Sequence, residues 1–163
     1  MTGEISSSRA RQALENGDIV SVTNILGRLH SLEGPVVHGD SRGRRLGFPT
    51  ANLELPEWMV LPLDGVYAAS AVIQGEVLVY RALVSVGIRP TFGSGERMFE
   101  VNLIDFDRDI YGRRLRVFIQ KRIRGQESFE ETEELVAAMR GDERFVRSMQ
   151  PVKGSDLLPF VAR

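Results

Sequence analysis

Between residues 28 and 124 the chain is a succession of short apolar stretches, broken at roughly ten-residue intervals by Gly, Pro and Asp. Within the stretches apolar residues recur at every second position, as in Val66/Ala68, Val77/Val79 and Leu115/Val117/Ile119. That period belongs to half-buried strands, whose successive side chains leave opposite faces. The pattern predicts strands over residues 31–38, 65–73, 77–86, 98–106 and 115–124. Short strands at this spacing form a barrel or sandwich with antiparallel neighbours. Strands and helices do not alternate, which argues against a doubly wound nucleotide fold.

Helical patterns flank the strands. Residues 5–27 read as two short helices. Ser6, Ser7 or Ser8 can cap the first and Gly17 stops it. Asp18 can cap the second, which carries Ile19, Val22, Ile25 and Leu26, and Gly27 closes it. Near the other end, Ser128-Phe129-Glu130-Glu131 has the form of a capping box. Leu135, Val136, Met139, Val146 and Met149 then make a helical apolar stripe that Gly141 can interrupt. Residues 151–163 have a weak pattern and are expected to dock loosely. The expected division is a helical segment 1–27, a barrel with its helix over 28–150, and a tail 151–163.

A chain of 163 residues is one domain by default and buries a core without staples. It has no cysteine, which excludes disulfides and thiolate zinc sites. No apolar run reaches the ~20 residues that cross a bilayer, and Met1-Thr2-Gly3-Glu4 does not open a signal peptide, so a cytoplasmic protein with no membrane partner is expected. The net charge of −1 does not describe a polycation seeking nucleic acid. The basic residues other than Lys121 and Lys153 are arginines, suited to bidentate phosphate contacts.

The densest chemistry lies in residues 36–52. Gly39, Gly43 and Gly47 free the backbone for positive φ and for an anion nest, and Arg42, Arg44 and Arg45 add charge suited to phosphate. The segment is neither a Walker A loop nor a dinucleotide GxGxxG motif. In Pro49-Thr50-Ala51-Asn52, Thr50 and Asn52 share one face of an extended chain and offer hard oxygens suited to Mg²⁺. The same residues are ordinary turn formers. On a strand, Glu100 and Asn102 lie opposite Phe99, Val101 and Leu103, so a carboxylate at a barrel rim can accept a proton from a hydroxyl. Asp105, Asp107 and Asp109 lack the Gly and distal Glu of an EF-hand and read as a solvated turn. His30 and His38 have no metal-ligand spacing.

In this order and spacing, residues 36–40, 42–52, 62–67, 86–92, 99–106, 111–112 and 124–129 resemble the riboflavin kinase family. The resemblance runs from about Gly27 to Met149. It implies a six-stranded antiparallel Greek-key barrel with a helix on its side, and conversion of riboflavin and MgATP to FMN and ADP. It implies that Thr50 and Asn52 hold Mg²⁺ and nucleotide phosphates, and that Gly39, Arg44 or Arg45, and Gly47 contact ATP. Glu100 falls on the family's catalytic base, and Arg124, Glu127 and Phe129 on its flavin-holding segment. Two departures stand out: the family often has histidine where Asn102 stands and asparagine near Arg89.

Residues 5–11 resemble the closing motif of the FMN adenylyltransferase domain that precedes the kinase in bacterial bifunctional FAD synthetases. Residues 1–27 are then a remnant or linker of such a domain, its partner in the native enzyme. Two other readings compete. One is a barrel that binds single-stranded nucleic acid through Arg113, Arg114, Arg116, Lys121, Arg122 and Arg124. The other is a flavin-binding regulatory domain without catalysis.

Overall fold

The computed structural model describes residues 7–39, 42–88, 95–150, 152–153 and 157. The sequence expectations for Ser6, Asp40, Ser41 and the 89–94 loop lie outside these residues. Along the described chain run α1 (Ser7–Glu15), α2 (Ile19–Leu26), β1 (His30–Val37), α3 (Arg42–Arg45) and β2 (Ala51–Leu53). There follow β3 (Gly65–Ile73), β4 (Tyr80–Ile88), β5 (Arg97–Leu103), β6 (Arg114–Arg124) and α4 (Thr132–Ser148).

The strands close an antiparallel barrel in the order β1-β2-β5-β4-β3-β6. β3, β4 and β5 form a meander, β6 returns beside β3, and β1 and β2 bridge the remaining gap to β5. Leu115, Val117 and Ile119 face the interior, as their two-residue period requires, with Tyr67, Val84, Phe99 and Val101. β3 is buried at all nine residues because both its faces are covered. Tyr67, Ala69, Ala71 and Ile73 point inward. On the outer face Val66 and Ala68 lie under Val146 of α4, and Val72 lies with Phe118 under Leu157.

α1 and α2 share the barrel's core, with Leu14, Ile19 and Val22 buried in the same cluster as Leu32 and Tyr67. Asp18 caps α2 by accepting from the Ser21 backbone N–H at 3.1 Å and hydroxyl at 2.6 Å. Gly17 (φ 73°) and Gly27 (φ 67°) end the two helices in left-handed geometry.

Several expectations differ from the structure. Val77–Val79 is not strand: the chain turns at Gly75 (φ 85°), β4 begins opposite Ala71 at Tyr80, and Val77 is 77% exposed. β5 stops at Leu103, because Asp105 adopts φ 56° and turns the chain. β2 is a strand beyond the five that the apolar pattern predicts; its three residues are too few to show a period. α4 starts beyond the capping box, with Glu131 at its N-cap making no side-chain cap bond, and it runs unbroken through Gly141. In the tail the described residues Val152 and Leu157 pack with Val72 and Phe118, and Leu157 is 1% exposed.

His30 opens β1 opposite Ile119, and its buried Nε2 has no hydrogen-bond partner among the described residues. Burial, and then the Arg28 charge, lowers its pKa from 6.5 to about 4. The folded chain therefore keeps the imidazole neutral where the unfolded chain protonates it. This contribution to stability is complete above pH 6.5 and is lost as pH falls toward about 4. The thermal midpoint should drop across that window by more in the wild type than in His30→Asn, as followed by circular dichroism.

Candidate active site

Phe99, Val101 and Leu103 pack into the barrel interior, so Glu100 and Asn102 leave the outer face of β5. β2 lies antiparallel to β5 with Ala51 opposite Val101 and Asn52 opposite Glu100. Directly opposed strand residues have Cβ atoms ~5 Å apart. On the other side of β5, Ser85 is opposite Glu100 and Leu83 opposite Asn102. Asn52, Glu100 and Ser85 thus form one row across three strands.

This outer face floors a cavity of about 840 Å³. Thr50, Glu100, Asn102, Ser85 and Leu83 line its barrel side. Gly43, Arg45, Leu46 and Phe48 close one edge; Thr132, Leu135, Met139 and Asp142 of α4 form the opposite wall. Segment 124–129 crosses the end and contributes Arg124, Gln126, Glu127, Ser128 and Phe129. The lining combines apolar walls with a few convergent polar groups, as in small-molecule sites.

The structure brings Arg45, Thr50, Glu100, Arg124, Glu127 and Phe129 of the sequence-predicted residues to this one cavity. Asn52 stands beside it through its pairing with Glu100. Gly39 touches Asn52 so closely that a Cβ there would sit 1.9 Å from Asn52 Nδ2; only glycine leaves room for the amide. Gly47 (φ 84°) lines a smaller neighbouring cavity of about 380 Å³ with Arg140 and Arg144, and Arg44 lines neither. Residues 42–45 form the helical turn α3, and Phe48 N–H returns to Gly43 O at 2.8 Å.

Arg124 organises the far end. Its Nη2 reaches Asp142 Oδ2 at 2.8 Å and its Nε lies 3.1 and 3.2 Å from the two carboxylate oxygens. Its Nη1 donates to Gly125 O at 3.3 Å, and its guanidinium stands 5.9 Å from the Phe129 ring centroid. Gln126 Nε2 ties the same segment to β4 through Ser85 Oγ (3.0 Å) and Val86 O (2.8 Å). Sequence reasoning missed Asp142, Gln126, Ser85 and Asp64, all of which line the cavity. Asp64 and Gln126 lie in stretches that carry the family resemblance, 62–67 and 124–129, and Asp142 is a carboxylate set between Met139 and Val146 of the apolar stripe.

The arginines of the suggested nucleic-acid stripe are engaged instead in internal contacts. Arg114 and Arg116 share Glu33 at 3.0 and 2.7 Å, and Arg113 donates to Gln74 O at 3.0 Å. Arg122 donates to Asp64 O at 2.9 Å, Arg124 holds Asp142, and Lys121 lies 5.5 Å over the Phe145 ring.

Residues 26–150 match the family model described as Flavokinase: Riboflavin kinase. The chain belongs to the riboflavin kinase family. The bifunctional riboflavin kinase/FMN adenylyltransferase of Bacillus subtilis (strain 168) is 40% identical over 144 residues, covering 86% of this chain and 45% of the relative. The chain spans about half the length of the curated relatives it matches. The crystal structure of riboflavin kinase from Trypanosoma brucei superposes with a TM-score of 0.54 at 25% identity, covering 73% of this chain and 75% of that one. A Streptococcus pneumoniae protein described as a macrolide-efflux protein shares the fold more closely, with a TM-score of 0.82 at 42% identity over 91% of this chain and 48% of that one. Among the described residues of this riboflavin kinase family member, no helix is long and apolar enough to cross a membrane.

The Arg124–Asp142 pair fastens α4 to the end of β6, and the Asp142 side chain is only 7% exposed. Removing one partner leaves the other charge buried and uncompensated. Asp142→Ala should therefore cost about 3 kcal/mol in denaturant-unfolding free energy, and Arg124→Met/Asp142→Leu should recover much of that loss.

Proposed function

We infer that this chain transfers the γ-phosphoryl group of ATP to the terminal ribityl hydroxyl of riboflavin, giving FMN and ADP. The observation that carries the reading is the cross-strand pairing of Asn52 with Glu100, in a chain of the riboflavin kinase family. The pairing sets hard oxygen donors next to a carboxylate that lines a cavity of about 840 Å³.

Glu100 is the proposed base. It accepts the proton of the ribityl hydroxyl as the oxygen bonds to the γ-phosphorus and the bond from that phosphorus to the β–γ bridging oxygen breaks. ADP leaves with the bridging oxygen. Thr50 and Asn52 would hold Mg²⁺, which fits their hydroxyl and amide oxygens and supplies charge neutralisation on the phosphates. A hydroxyl and an amide are only two protein donors, so a cation held there would complete its shell with phosphate oxygens and water. Arg45, with Arg44 and the backbone at Gly39 and Gly47, is assigned to phosphate oxygens.

Phe48, Leu83, Leu135 and Met139 offer apolar surface to the isoalloxazine ring. Arg124, Glu127 and Phe129 hold its far edge in this reading. Water excluded from such a slot cannot compete with the ribityl hydroxyl as acceptor. In the full-length protein the partner is proposed to be an FMN adenylyltransferase domain, with residues 1–27 its remnant or linker, and the location the cytoplasm.

Incubation with riboflavin, ATP and Mg²⁺ should yield FMN by chromatography. Glu100→Gln should lower kcat by about 10²–10³-fold while riboflavin affinity by fluorescence titration changes by less than about twofold. A folded wild type that binds riboflavin without making FMN would instead be a flavin-binding module, and the kinase reading would fall.

A further inference from the structure

We propose that Asn102 is a positioning residue that sets the orientation of Thr50. The inference rests on the kinase reading above and concerns a residue that reading does not use. The β2–β5 register pairs position 51 with 101 and 52 with 100, so one further step sets 50 opposite 102. The ladder does not continue that far, since β2 begins at Ala51. Pro49 has no N–H to offer it. The peptide leading into Thr50 therefore lacks the strand hydrogen bonds that hold Asn52.

Asn102 supplies the missing bond. Its Nδ2 donates to the Pro49 carbonyl at 2.7 Å, and the residue is 8% exposed. That carbonyl belongs to the peptide plane that ends at the Thr50 nitrogen. Holding the plane limits the φ of Thr50 and so the direction of its hydroxyl. On the other side Gly43 leaves space for Thr50: a Cβ on Gly43 would lie 3.3 Å from Thr50 Cγ2 and 2.2 Å from Phe48 O. Thr50 is thus held between an amide behind its backbone and a bare glycine beside its methyl. A carbonyl can only accept, so a donor is what position 102 must provide.

The test compares Asn102→Asp, the same shape without the donor, with Asn102→His, which keeps a ring N–H, and with Asn102→Ala, which removes the donor without adding charge. In the Asp and Ala variants the KM for MgATP, and the Mg²⁺ concentration giving half-maximal rate, should each rise about tenfold. Riboflavin affinity by fluorescence should stay within about twofold, and Asn102→His should restore most of the loss. A fall in thermal midpoint with KM for MgATP unchanged in either folded variant would make Asn102 merely structural and overturn the proposal. Equal weakening of riboflavin and MgATP would overturn it too. Absence of FMN from the wild type would count against the kinase reading; FMN from the wild type with unaltered variants would count against this inference alone.

Discussion

The pairing of β2 with β5 is the contact on which the molecule depends. β2 is three residues long, yet it fills the gap between β1 and β5 and closes the barrel. Closure removes the exposed edges of both neighbours. The same register sets Asn52 against Glu100. A slip of one residue would turn Asn52 inward and Leu53 outward, losing the core contact and the polar row together. Fold and site therefore share one set of backbone bonds.

The cavity exists because the barrel's outer face is covered unevenly. α4 packs on Val66, Ala68 and Leu83, and stands away from Glu100 and Asn102, leaving a slot lined from both sides. The Arg124–Asp142 pair and the Gln126 contacts fasten the slot's closed end. Several other arginines serve the framework in the same way. Arg97 joins Asp64 at 2.6 Å and Pro62 O at 2.6 Å, and Arg108 meets Glu76 at 2.9 Å. Among the described residues, these arginines tie neighbouring strands and loops together.

Much of the barrel was legible in the sequence. β3 runs over residues 65–73, as the apolar pattern predicts, and β1 and β6 are displaced by one residue from their expected starts. The Asp18 cap and the glycines at 17 and 27 followed from local chemistry alone. The errors cluster where distant partners decide. Val77–Val79 has the right alternation for a strand but meets no neighbour there, because the register of β4 with β3 begins at Tyr80. The capping box at Ser128 was overridden because segment 125–129 is drawn along the cavity wall before α4 begins. In the site, Thr50, Asn52 and Glu100 stood out by type and order, whereas Asp142 and Gln126 act through partners 18 and 40 or more residues away.

Strand periodicity, the helix ends at Asp18, Gly17 and Gly27, and the motif order that resembles the riboflavin kinase family can all be read along the chain. These are properties of neighbouring residues and of their order. That Glu100 faces Asn52, that Asn102 reaches Pro49 and that Asp142 is buried against Arg124 emerge with the folded barrel. Such contacts depend on strand register and helix placement, which long-range packing sets and local pattern does not carry.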